Sequence, residues 1–197
     1  MQAFGSILPR SFYARPAAEV SRDLLGRVLV HGECAGRIVE TEAYLGLDDL
    51  AAHSARGITP RTRVIFGPPG HAYVYFIYGM YECLNVVAES DGVPGAALIR
   101  ALEPLAGIDL MRRRRKRERI LDLASGPGKL TIAMGITRAQ NGADLIKGPL
   151  TILDGNPARF EVQVTPRIGI SACADWPLRF LIQGSPFASR RPRASHG

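Results

Sequence analysis

The chain has 197 residues, 46% of them hydrophobic, which is enough for one domain with a substantial core. No apolar run approaches the roughly 20 residues of a membrane span; three cysteines without CxxC spacing and four histidines without an HxxxH or HExxH pair argue against a disulfide framework and a metal site. The formal charge is +7 and 22 of the 25 basic residues are arginine, which suits phosphate oxygens and flat rings, although a bias toward arginine codons explains scarce lysine equally well.

The N-terminus, MQAFGSILPR, lacks a basic segment followed by a long apolar run, so no signal peptide is expected and a cytoplasmic protein is the default. Residues 16–26 (PAAEVSRDLLG) read as a short helix that starts at a proline and stops at Gly26. Two strands follow, joined by a turn around Gly32 to Gly36. Residues 47–71, rich in Gly, Pro, Arg and Thr, read as loop. HAYVYFIYGMYECLNVVAES predicts a hairpin with its tip near Tyr78, Gly79 and Met80, and GAALIRALEP a strand ending near Arg100. The arginine-rich run Arg112 to Arg119 predicts a helix charged on all sides and largely solvated. SGPGKLTIAMGI predicts a second helix capped by Ser125. Further strands are expected at 149–153, 160–170 and 178–183, then a basic, disordered tail over 189–197. The class expected is α+β: a single domain over 1–188 with a mainly antiparallel curved sheet, flanking helices and a protruding hairpin.

Two glutamates in VETEAYLG raise the chemical question. In a strand Glu40, Glu42 and Tyr44 share a face. Neighbouring carboxylates can tune a general base, or mimic the acid/base pair of a sugar hydrolase; an exposed polar face on an edge strand is the plainer alternative. The hairpin carries Tyr73, Tyr75, Tyr78 and Tyr81, which suit a cross-strand ladder, while an aromatic at the tip suits a wedge between stacked bases. His53 reads as structural on its own, and Asn85 as a buried hydrogen-bonding residue or a reader of a ligand edge. SGPGKLT departs from the phosphate-loop pattern GxxxxGK[ST], so nucleotide hydrolysis is not indicated, though a helix start beside Lys129 can hold one backbone phosphate.

Taken together, RIVETEAYLG, AAHSARG with TPRTR, YVYFIYGMYECLN, LIRALEP, SGPGKL, and PRIGI with PLRFLIQGSPF resemble, in order, the alkyladenine (3-methyladenine) DNA glycosylase family. The resemblance covers about residues 10–187. It implies a monofunctional DNA repair hydrolase that flips alkylated purines out of duplex DNA and cleaves their N-glycosidic bond, without a cofactor and as a monomer. It places the water-activating base at Glu42, with Arg100 and a backbone carbonyl at Ile168 holding the water. It places base stacking at Tyr44, His53 and Tyr75, exclusion of guanine's amino group at Asn85, intercalation at Tyr78 and Met80, and phosphate contacts at Arg61 and Lys129. The loop after His53 is one residue shorter than in the better-known members, and the Asn85–Arg100 interval slightly longer. The resemblance leaves Glu40 without a role. If Glu40 shares the site, it needs its own cationic or hydrogen-bonding partner.

Overall fold

The computed structural model describes residues 4–77, 79–155 and 158–189. The intercalation expected at Tyr78 and the tail beyond Ser189 lie outside the described residues.

Strand-forming alternation gives β1 (Val28–His31), β2 (Cys34–Tyr44), β3 (Ala72–Ile77), β4 (Tyr81–Val87), β5 (Ala96–Ala106), β6 (Leu150–Leu153), β7 (Val162–Thr165) and β8 (Arg179–Ile182). All their pairings are antiparallel, and the main path runs β3-β4-β5-β2-β1-β6. The eleven-residue β2 has β5 along one edge; the other edge is shared by β1, opposite residues 34–37, and β8, opposite residues 40–42. Helices α1 (Arg10–Tyr13), α2 (Ala17–Asp23), α3 (Ile108–Arg115) and α4 (Pro127–Met134) complete the expected α+β fold.

Several local outcomes differ from expectation. The sheet does not end near Arg100, because β5 continues to Ala106. β2 is not an edge strand, and its glutamates are not exposed but fully buried. Ser125 does not cap α4, whose N-cap is Gly126 with no side-chain bond. The arginine run leaves the helix at Lys116, which takes a left-handed conformation. Nor is that run wholly solvated: Arg114 donates to the Ala133 carbonyl at 3.0 Å and Arg115 to that of Leu123 at 2.9 Å, bonds that sequence periodicity does not reveal.

One face of the sheet packs on the core through Ala72, Val74, Leu84, Val86, Ala97 and Ile99, with α2 and α4 against it. With a side-chain period of two, the opposite face of the same strands is available for a site. Registers Tyr73↔Asn85, Tyr75↔Cys83 and Asn85↔Leu98 align those side chains across three strands. Three register shifts interrupt the β2–β5 ladder, two of them beside the glutamates: Ile38 faces Leu102 and Glu40 faces Ala101, which leaves Val39 extra, while Thr41 faces Ile99, which leaves Arg100 extra. Such bulges re-aim a side chain and curve the sheet.

Beyond Tyr44 the chain turns sharply at Gly46, whose φ is +100° and where a Cβ would lie 2.6 Å from the Pro94 carbonyl oxygen. A backbone atom cannot swing aside, so Gly46→Ala should cost about 2–3 kcal/mol. Urea unfolding would show a lower midpoint with an unchanged slope.

Candidate active site

A cavity of about 360 Å³ opens on the free face of β3, β4 and β5. Tyr73, Tyr75, Cys83, Asn85, Leu98 and Arg100 line it from the strands; Tyr44, His53 and Ile168 approach from β2 and two loops. The alternation in YVYFIY therefore turns Tyr73 and Tyr75 to one side and leaves Val74 in the core.

Arg100, the extra residue of its bulge, reaches between the two glutamates. Its Nε donates to Glu40 Oε1 at 2.9 Å and its Nη1 to Glu42 Oε2 at 3.0 Å. Glu40 has further donors: Oε1 also accepts from Arg179 Nε at 2.7 Å and from the Ser189 hydroxyl at 2.7 Å, and Oε2 from the Ser189 amide at 2.5 Å. Glu40 thus has the partners its burial requires. Ser189, where the tail was expected to begin, is one of them.

Glu42 is held differently. Oε1 accepts from the Ile168 amide at 2.8 Å, while Oε2 accepts from Arg100 and, at 3.2 Å, from the Tyr44 hydroxyl. Oε1 therefore has one donor where a carboxylate oxygen can take two. The carboxylate is fully buried behind the cavity wall, and its three donors all belong to that wall. Burial pushes the Glu42 carboxyl above the ordinary carboxylate range; Arg100 and the Ile168 amide oppose this, neighbouring Glu40 adds to it, and Tyr44 again opposes. The two carboxylates do not face each other across an open cleft, as a sugar hydrolase would need.

The remaining expected residues are distributed around the same cavity. His53 packs edge-on against Tyr75 with centroids 4.5 Å apart, and its Nδ1 lies 3.0 Å from the Tyr73 hydroxyl. Burial, then Arg61 and Arg56, push its imidazole down to about 4, so it is neutral at physiological pH. Asn85 Nδ2 donates to the Tyr73 carbonyl at 3.2 Å. Arg61 is exposed, with its guanidinium 5.2 Å from the centre of the Tyr75 ring. Lys129 is exposed on the first turn of α4, where Pro127 and Gly128 join the cavity wall. Met80 is exposed at the hairpin turn. The Ile168 contact with Glu42 runs through its N–H.

Sequence reasoning missed four contributors: Arg179, Ser189, and the buried pair Asp49–Arg167. The Asp49 carboxylate takes two bonds from Arg167, at 2.5 and 2.8 Å, and Arg167 stands 4.7 Å from the Tyr44 ring centre. Arg167 lies in PRIGI and Arg179 in PLRFLI, both segments already of interest for their neighbours. A charged residue inside an apolar segment was the available signal.

Residues 11–186 match the family model described as methylpurine-DNA glycosylase. A protein of Methanoculleus marisnigri named "Putative 3-methyladenine DNA glycosylase" is 53% identical over 191 residues, covering 93% of this chain and 99% of the relative. Proteins of the same name are 52% identical in Koribacter versatilis, over 92% of each chain, and 46% identical in Legionella pneumophila, over 93% of this chain and 98% of that one.

Two expectations follow from the geometry. Glu40→Gln strands two buried guanidinium groups with one fewer charge, so it should cost about 3 kcal/mol or more in denaturant unfolding. The His53 ring, followed by NMR, should stay neutral as pH falls through 6 and 5, with a midpoint near 4.

Proposed function

The chain belongs to the methylpurine-DNA glycosylase family, and from that premise we propose that it flips alkylated purines out of duplex DNA and hydrolyses their glycosidic bond with a water activated by Glu42. Membership makes it a DNA N-glycosylase, a hydrolase whose substrate partner is DNA. The mechanism is our reading, and one observation carries it: a buried carboxylate with a raised pKa, held by three donors that themselves wall an aromatic cavity.

A base inside a duplex cannot be reached, so it must leave the stack. Tyr44, His53 and Tyr75 then offer it ring surfaces. Aromatic faces attract a cation, and a neutral His53 adds no repulsion; both favour 3-methyladenine and 7-methylguanine, which are positively charged. Asn85, fixed on the Tyr73 carbonyl, stands where an exocyclic amino group would be tested. Tyr78 and Met80 fill the vacated stack, and Arg61 and Lys129 meet phosphates.

Water entering between Tyr44, Arg100 and Ile168 meets Oε1, the carboxylate oxygen with acceptor capacity to spare. Glu42 takes its proton as the oxygen bonds to the sugar carbon, and the glycosidic electron pair leaves with the base. A cationic base departs neutral and needs no acid. Neutral lesions such as hypoxanthine or ethenoadenine need protonation first and react more slowly. Among the described residues no lysine lines the cavity, which supports hydrolysis over Schiff-base chemistry and so a monofunctional enzyme.

Purified protein at catalytic levels should release free 3-methyladenine from methylated duplex DNA. Glu42→Gln should reduce release at least about 100-fold while binding to lesion-bearing duplex persists. Glu42 also opposes folding when ionised. With its folded pKa raised, its favourable contribution is present below the unfolded value and is lost as pH rises through the folded one, so Glu42→Gln should lower stability less than Glu40→Gln does. Activity that survives in Glu42→Gln but disappears in Glu40→Gln would overturn the assignment. Lesion binding by the native chain with no release in any buffer would mark a recognition module instead.

A further inference from the structure

We propose that the buried Asp49–Arg167 pair is a positioning device for Glu42, fixing the two neutral donors on which that carboxylate rests. Both side chains are fully buried. Arg167 grips Asp49 with two bonds, at 2.5 and 2.8 Å, and donates to the carbonyl of Ala43, the residue before Tyr44, at 3.0 Å. Its guanidinium lies over the Tyr44 ring, and the next residue along the chain is Ile168. One rigid fork therefore backs both the Tyr44 hydroxyl and the Ile168 amide. Asp49 is fixed in turn by the Leu45 and Ala51 amides, so the turn leaving β2 and the loop bearing Ile168 are locked together.

Stability alone is a poor reason for such a pair, because desolvating two charges cancels much of their attraction. What a bidentate guanidinium–carboxylate pair supplies is direction. The inference rests on Glu42 being the base.

The groups facing Glu42 are Glu40 and Tyr44 on β2, Cys83 on β4, Arg100 on β5, Arg179 opposite it on β8, and Arg167 in the loop before Ile168. Among them, the Tyr44 hydroxyl and the Ile168 amide hold the carboxyl down by hydrogen bonding. Slackening either bond raises it further. Removing the negative charge of Asp49 by itself acts the other way, favouring ionised Glu42. Displacement and bare electrostatics thus predict opposite signs.

The test is the pH dependence of single-turnover 3-methyladenine release by the full chain, compared with Asp49→Asn, Arg167→Lys and Tyr44→Phe. Arg167→Lys keeps the charge and loses the fork; Tyr44→Phe keeps the ring and loses the hydroxyl. In all three the acidic limb of the profile should move to higher pH, by roughly half a unit or more. The Arg167→Lys/Tyr44→Phe double variant should move it by less than the sum. Where Asp49→Asn loses stability, Arg167→Lys decides. A limb that stays in place or moves to lower pH in both variants of the pair overturns the proposal, whatever happens to thermal stability. If Glu42→Gln is itself active, the base assignment fails; if it is inactive and the limbs stay put, only the positioning role fails.

Discussion

Arg100 at its bulge is the constraint on which the remaining geometry depends. Two carboxylates and two guanidinium groups, Glu40, Glu42, Arg100 and Arg179, are buried together in the sheet. Each ion loses several kcal/mol of hydration on burial. Only a set that sums to zero charge and satisfies its hydrogen bonds can be accommodated. A regular β2–β5 ladder has no extra residue to aim between Glu40 and Glu42, and the bulge supplies one. The charge balance therefore fixes the pairing of three strands, because β5 brings Arg100, β2 the glutamates and β8 Arg179.

The same balance makes the two glutamates unequal. Glu40 accepts from four donors, and three of them, on Arg179 and Ser189, lie away from the cavity lining. Glu42 has three, and all of them belong to residues that line the cavity. Arg100 joins them, so that Glu40 steadies the guanidinium that orients Glu42. Glu40 thus acts at one remove, through Arg100, and Ser189 secures it from near the end of the described chain.

Much of this was legible in the sequence because β-strand periodicity is strict. The alternation in VETEAYLG put Glu40, Glu42 and Tyr44 on one face, and the one in YVYFIYGMYECLN separated Tyr73, Tyr75, Cys83 and Asn85 from the core residues between them. What escaped were features set by tertiary pairing. A bulge depends on the partner strand, so neither Val39 nor Arg100 could be identified as the extra residue. Asp49 and Arg167 are 118 positions apart, and nothing in either local segment pairs one with the other. Arg114 and Arg115 looked like solvated charge because their carbonyl partners lie beyond the helix that carries them. Burial of a charge is decided by what it meets, and no local pattern encodes that.

A chain with net charge +7 is well suited to attract DNA and poorly suited, at first sight, to admit a cationic base. The cavity resolves the conflict by local neutrality. Arg100 and Arg179 are matched by Glu40 and Glu42, Arg167 by Asp49, and His53 is uncharged; the rest of the cavity lining is uncharged aromatic, aliphatic and small polar residues. In the proposed reaction Glu42 then has two duties. Ionised, it accepts the proton of water and also cancels the charge of Arg100 beside the bound base. Protonated, it can do neither, and the four-ion cluster carries an unmatched positive charge next to a cationic ligand. Acid therefore weakens both the chemical step and the attraction that selects alkylated purines, through a single carboxyl group.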